Sequence, residues 1–339
     1  MMESVSSTPF DLHSLQNYVA YGAIKGTSVS ISLIYYGTQF LIKFEKQKDE
    51  APPNSEFECF QKQCVEFMNR YSSQPDNQLS WWELCQMVVS VCLPSIIQLS
   101  NSRKSPKSLE EYLSVETFEL KIQRDESEST IKVLKEGPSV LSAYDIHPLD
   151  RCSIHDESLP KISAGEILAE SLQRRHNRMP QKVFTLDGSP HFFKPCMFGM
   201  EEHFIDEVQS LIKLRTEGIA ISVPTIEGLA ITSEGKVFGM LAQWIEGCAI
   251  SAISQECRRR QAQQWRNELF STMNLLHQAG ILWGDINQGN IIIEEATNKA
   301  WIVDIGGGDN RVMLGEERFG GFAGDLEALT RFCESWLPE

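Results

Sequence analysis

Apolar and polar positions alternate most cleanly over Ser28–Lys46. Val29, Ile31, Leu33 and Tyr35 are followed by a turn at Gly37, then by Phe40, Ile42 and Phe44. A period of two in two runs around a turn residue predicts an amphipathic β-hairpin. The period changes after Pro52–Pro53. Phe57, Phe60, Cys64, Phe67, Met68 and Tyr71 fall on one helical face, and Ser55-x-x-Glu58 opens that run as a capping box. Gln74–Gln78 reads as a loop. Ser80-x-x-Glu83 is a second box, opening a helix with Trp81, Leu84, Cys85, Val88, Val91 and Cys92 inward. After the polar loop Asn101–Ser108 come two strand-like segments, Val115–Gln123 and Thr130–Leu134, joined by the solvated turn RDESES. Gly137, Pro138, His147 and Pro148 mark a linker. Residues 1–27 are Ser-rich and weakly patterned, a loose lead-in. The first part therefore reads as an α+β unit over 28–136 with a linker over 137–150. No chemistry is recognisable in it, and its expected role is support, substrate selection or oligomerisation.

In the second part, Gly165–Gln173 and Pro180–Leu186 read as strands, and Asp187-Gly188 is a hairpin turn signal. His191–Phe193 leads into Lys194. Phe204, Val208, Leu211, Ile212 and Leu214 give the next helix its apolar face. Val223–Thr232 and Lys236–Trp244 form a hairpin about Ser233-Glu234-Gly235. Cys257–His277 is a long amphipathic helix with Gly280 as its C-cap. The runs NIII (Asn290–Ile293) and WIVDI (Trp301–Ile305) flank a turn-rich connection and predict another hairpin. Asp325 reads as the N-cap of a last helix.

Length and composition narrow this picture. The 339 residues suit about two domains, and 42% hydrophobic residues suffice for a sizeable core. The net charge of −15 argues against non-specific nucleic-acid or anionic-membrane binding. It does not disfavour ATP, which needs only local positive charge. Nine cysteines show no CxxC pair and no zinc spacing. They are expected to be reduced thiols of an intracellular protein, with Cys85 and Cys92 in the core. No basic region followed by an apolar run marks a leader, and Met87–Ile97 is about half a membrane span. The expectation is a soluble, cytoplasmic protein.

The candidate chemistry lies around the last hairpin. Asp285 precedes its first strand, Asn290 opens that strand, and Asp304 ends the second before three glycines. Two carboxylates and an amide thus meet at one end of a small sheet. Such oxygens are the hard ligands Mg²⁺ needs, and a free Asp can position a hydroxyl nucleophile. Lys194 is a lone cation after an apolar strand. By itself it would be an ordinary solvated lysine, but an E-x-x-x-L-I-x-L helix beginning at Glu207 follows it.

The order D-x-x-x-x-N then V-D-x-G resembles the catalytic loop and metal motif of the protein-kinase-like superfamily. WGD (Trp283–Asp285) is closer to the HGD of aminoglycoside and choline kinases and of small atypical kinases than to HRD, and the chain's style looks like the fungal protein-kinase-like families. The resemblance covers roughly residues 140–339 and implies a bilobal kinase-like fold. Its first lobe and hinge would span 151–247 and a truncated second lobe 248–339. It implies Asp285 as the catalytic Asp, and Asn290 and Asp304 as Mg²⁺ ligands, with Ile305 in place of Phe. Lys194 would meet the ATP phosphates and pair with Glu207, with Asp206 and Glu202 as neighbouring alternatives. In MLAQWIEG (Met240–Gly247) backbone groups of Gln243 and Trp244 would meet adenine, and Asp325 would brace the catalytic loop.

Two departures stand out. The turn where a Gly-rich loop is expected is RRHNRMP (Arg174–Pro180). Arg174, Arg175 and Arg178 either hold phosphates through their side chains or form a solvated turn. No A-P-E follows Asp304, and the chain ends at Glu339 without sequence for a peptide platform. The resemblance therefore implies an atypical kinase acting on a small-molecule hydroxyl, less readily on a protein. With Gly284 in place of arginine, no control through a phosphorylated activation loop is expected. A pseudokinase serving as a binding or scaffold module, and a kinase-fold enzyme that transfers AMP, are the alternatives.

Overall fold

The computed structural model describes residues 19–35, 38–47, 52–73, 78–100, 107–113, 115–125, 127, 130–141, 146–149, 154, 158–169, 180–197, 199–306, 313 and 321–337. They form a mixed α+β protein that divides into two compact units, one up to residue 144 and one made of 145–169 and 180 onward.

The first unit is a five-stranded sheet with helices between its third and fourth strands. The strands are β1 (Val19–Lys25), β2 (Ser28–Tyr35), β3 (Thr38–Glu45), β4 (Val115–Arg124) and β5 (Ile131–Leu141), in that spatial order. Neighbours are antiparallel except β3 and β4, which are parallel. A parallel pair needs a crossover, and helices α1 (Glu56–Ser73), α2 (Gln78–Ser100) and α3 (Leu109–Leu113) supply it. The predicted alternation is realised. Val29, Ile31, Leu33, Phe40, Ile42 and Phe44 pack with Phe57, Cys64, Met68, Leu84, Val88 and Cys92 of the helices. Burying each such side chain stabilises by about 1.5–3 kcal/mol. α2 includes a stretch, Trp81–Ser100, long and apolar enough to cross a membrane. Leu84, Cys85, Val88, Val89, Cys92 and Ile96 on it are nonetheless fully buried in this core.

Several boundaries differ from the pattern. Residues 19–25 are a strand, not lead-in. Their partner surface is remote in sequence: a Cβ at Gly22 would sit 2.4 Å from the Trp81 ring. β5 runs through Gly137 and Pro138, which the pattern assigns to a linker. Proline is admitted because β5 is an edge strand. Ser55 caps α1 as predicted, its hydroxyl accepting from Glu58 N at 3.2 Å. Ser80 does not cap α2, which starts at Gln78.

The second unit holds two sheets. One has six strands: β6 (Lys161–Ser163), β7 (Leu168–Ala169), β8 (Lys182–Phe184), β9 (Pro190–Pro195), β10 (Ile226–Ile231) and β11 (Val237–Gln243). Their spatial order is β6-β10-β11-β9-β8-β7. The other is β12 (Gly247–Ala249), β13 (Ile291–Glu294) and β14 (Ala300–Ile302). Helices α4 (Glu201–Thr216), α5 (Gln255–Gln278) and α6 (Gly321–Trp336) complete it. The 137–150 linker does not stand at its far end either: Ile146 bridges Met197 and Leu149 bridges Val237. Gly165 lies in a 3-10 turn, so the strand expected from there shrinks to Leu168–Ala169 among the described residues. Thr185–Ser189 turns as predicted, with Gly188 at φ +84°.

Candidate active site

All the described candidate residues lie in the second unit. Successive residues of β9 point to opposite faces. Phe193 is buried against Phe238, ring centroids 5.6 Å apart, so Lys194 emerges on the other side. A Cβ at Gly239 would lie 2.4 Å from the Phe193 ring and 2.7 Å from Lys194 O, so this close pairing of β9 and β11 requires glycine there.

Lys194 Nζ donates to Glu207 Oε2 at 2.5 Å and also to Asp304 Oδ1. Glu207 is on the inward face of α4 beside Phe204, Val208 and Leu211, and is buried. Asp304 keeps 46% of its side chain exposed. One ammonium thus serves two carboxylates, and with both ionised the cluster carries one net negative charge. Burial pushes the Glu207 carboxyl up to about 7; Lys194 opposes that shift and Asp304 adds to it. For Lys194 burial acts downward, but Glu207 and Asp304 together outweigh it and hold the ammonium above its ordinary value.

The β13–β14 hairpin delivers the remaining groups. Ile291 pairs with Ile302, and one step on Val303 N donates to Asn290 O at 3.0 Å. Asp304 follows with φ 60°, a left-handed conformation. Gly306 N donates to Leu282 O at 2.9 Å. A Cβ at Gly306 would meet Ser210 Oγ at 2.9 Å and Asp206 O at 3.2 Å, so α4 packs on this segment with no room to spare. Asn290 Nδ2 donates to Asp285 O and Oδ2, both at 2.9 Å, which ties the two residues together.

Beneath this loop lies Asp325, 1% exposed. Its carboxylate accepts from Trp283 N at 2.8 Å and Gly284 N at 2.9 Å, and meets His277 Nε2 at 3.0 Å. The expected brace is present, but Asp325 is not an N-cap: α6 begins at Gly321, and Asp325 sits one turn inside. Its carboxylate holds two amides of the loop. Gly284 has φ +80°, where an L side chain costs about 1–2 kcal/mol. Glycine at that point of WGD is a conformational requirement.

In the segment expected to meet adenine, one backbone group is already paired. Gln243 N donates to Thr225 O at 2.9 Å, so this amide is spent inside the protein and is no donor for a base. The Trp244 indole donates to Glu246 Oε2 at 2.8 Å, and the Lys182 ammonium lies 4.8 Å above its ring. Arg174, Arg175 and Arg178 lie outside the described residues.

Among the described residues, no group of three or more His, Cys, Asp or Glu converges to hold a metal. Asp285 and Asn290 are joined by hydrogen bonds, while the Asp304 carboxylate is engaged by Lys194. Cavities of about 330 and 180 Å³ are lined by α4 and its C-terminal connection, and neither is lined by any of these groups. Trp283 was not legible as a site residue. Its signal was a large aromatic immediately before Gly284-Asp285, whose N–H needs an acceptor when buried. Comparison of the chain with protein-family models and with curated proteins finds no match.

Proposed function

We propose that the second unit is an atypical kinase that transfers the γ-phosphoryl group of ATP to a hydroxyl of a small molecule. The observation that carries this reading is a pair of linked clusters. Lys194 is held between Glu207 and Asp304, and Asp285 is tied to Asn290 on the loop that leads into the same hairpin. Phosphoryl transfer asks for positioning and charge neutralisation more than covalent help. Lys194 would oppose the phosphate charge, with Glu207 setting its direction. Asp285 would take the proton of the acceptor hydroxyl. The hydroxyl oxygen forms a bond to the γ-phosphorus, the bond from that phosphorus to the bridging oxygen breaks, and ADP leaves with the electron pair.

Mg²⁺ fits the donors present, all hard oxygens. Asn290 turns its amide nitrogen to Asp285, which leaves its carbonyl oxygen as the end that would join Asp304 in holding the ion. Bound there, the ion would neutralise phosphate charge. Adenine would be read by the carbonyl side of Gln243 and by residues after it. In this reading the six-stranded sheet with α4 is the first lobe of a bilobal kinase-like fold, and α5, the hairpin and α6 are a reduced second lobe. A protein acceptor ranks lower because no A-P-E stands between Asp304 and Asp325. A cytoplasmic setting fits the free thiols, of which Cys64, Cys85, Cys92, Cys196 and Cys333 are buried.

The second reading, a pseudokinase that binds without transfer, draws on the absence of glycine from the sequence Arg174–Pro180. Thermal shift with ATP, with and without Mg²⁺, on wild type and Asp304→Ala tests the nucleotide site, and transfer of label from γ-labelled ATP separates the two. Mg²⁺-dependent stabilisation that is lost in the variant supports the kinase; no shift with any nucleotide sinks it. With an acceptor in hand, γ-labelled against α-labelled ATP distinguishes phosphoryl transfer from AMP transfer.

A further inference from the structure

Trp283 and Trp265 are the largest fully buried side chains. A buried indole N–H needs an acceptor. That of Trp265 goes to Asn298 O in the hairpin turn at 2.9 Å. That of Trp283 goes to Val303 O at 3.2 Å. This carbonyl belongs to the peptide that joins Val303 to Asp304. Among the described residues, the other bonds from the 282–290 loop to this segment are backbone to backbone, from Val303 N to Asn290 O and from Gly306 N to Leu282 O. Three hydrogen bonds thus run between the 282–290 loop and residues 303–306, bracketing Asp304. The left-handed backbone of Asp304 persists only when its surroundings hold it. Of the three bonds, only the indole bond depends on a side chain. The backbone N–H of the same tryptophan is held by Asp325.

We propose that Trp283 is a positioning residue. By holding the Val303 carbonyl, its indole fixes the backbone turn that aims the Asp304 carboxylate at Lys194, and it couples that turn to the buried Asp325. The benefit to nucleotide chemistry rests on the function proposed above, while the clamp itself does not. A purely space-filling role would need the ring but not the N–H. Trp283→Phe keeps an aromatic ring and removes the donor. Trp283→His restores a ring N–H.

The test is amide hydrogen exchange on the full chain, read at Val303 and Gly306. Loss of one neutral hydrogen bond is expected to speed both by about fivefold to tenfold in Trp283→Phe. Amides of β10 and β11 should be unchanged, and Trp283→His should regain part of the protection. If the Phe variant does not fold, benzothienylalanine at position 283 keeps the bicyclic shape without the N–H and gives the same comparison. The Mg²⁺-dependent part of the ATP thermal shift is read in parallel and should be lost in the donor-free variant, with the metal-free shift retained. Unchanged exchange overturns the proposal, and so does faster exchange with the full Mg²⁺-dependent shift. Were wild type itself to show no ATP shift, the kinase reading would fall, and exchange alone would decide the clamp.

Discussion

Among the described residues of the first unit, the buried polar side chains, Ser32, Thr38, Gln39, Ser95, Ser100 and Thr117, are all uncharged. The second unit buries Glu207 and Asp325, the only buried carboxylates among the described residues. The first unit links its polar groups in a short neutral chain, Thr117 Oγ1 donating to Gln39 Oε1 at 3.1 Å and Gln39 Nε2 to Ser32 Oγ at 2.9 Å. Desolvating a charge costs far more than desolvating a hydroxyl, and apolar packing is often the more stable substitute. A core that only had to be stable would resemble the first unit. The second retains charge at the places where it orients an ammonium and a loop. Its cysteines do not share that feature: burial pushes the Cys196 and Cys333 thiols up to about 11, as it pushes Cys64 and Cys92 up to about 12. They behave as small apolar residues in both units.

The contrast can be broken by measurement. The largest effect is expected from Asp304→Ala. Phosphotransfer should fall on the order of a hundredfold or more, while the melting temperature moves little because the side chain is half exposed. Steady-state assay beside calorimetry checks both, and a large stability loss would mean that Asp304 is structural. Asp325→Ala should cost about 3 kcal/mol or more in urea unfolding, since it strands the buried amides of Trp283 and Gly284. A loss near zero would mean that Asp325 does not brace the loop.

Glu207→Gln tests the pH sign. The folded carboxyl, raised by burial to about 7, holds its proton more tightly than the unfolded one, with its ordinary value of 4.5. Wild-type stability contributed by this group is therefore present below about pH 4.5 and falls as pH rises through 7. The variant should match wild type at pH 5 and be the more stable at pH 8, by on the order of 3 kcal/mol at most. Parallel stability curves would contradict this. The smallest effect belongs to the first unit: Thr117→Val should cost about 1 kcal/mol and leave ATP binding unchanged.

What could be read from the chain was local or periodic. The alternation of Val29 to Phe44, the faces of α4 and α5, and the hairpin carrying Asn290 and Asp304 all follow from patterns within a few residues. What was hidden depends on remote partners. β1 is a strand because β2 and Trp81 receive it, and its own sequence alternates weakly. Pro138 is strand because it lies at a sheet edge. Asp325 lies inside a helix because the loop of Trp283 and Gly284 claims its carboxylate. The Gln243 amide is spent on Thr225, which no spacing announces.

The pairing of Lys194 with Asp304 spans 110 positions of sequence. Contacts this distant form only after long loops have closed, and such closure slows folding. On the ribosome, Lys194 and Glu207 emerge long before the hairpin, and Asp325 emerges later still. Until then the helix that buries Glu207 lacks the segment that Gly306 fits against it. The cluster of Lys194, Glu207 and Asp304 with its braced loop is therefore the last part of the second unit that synthesis can finish. A nascent chain halted before Asp325 would hold the ammonium and its first carboxylate, but no braced loop. Under the proposed kinase reading, partial products of translation would be silent and not weakly active.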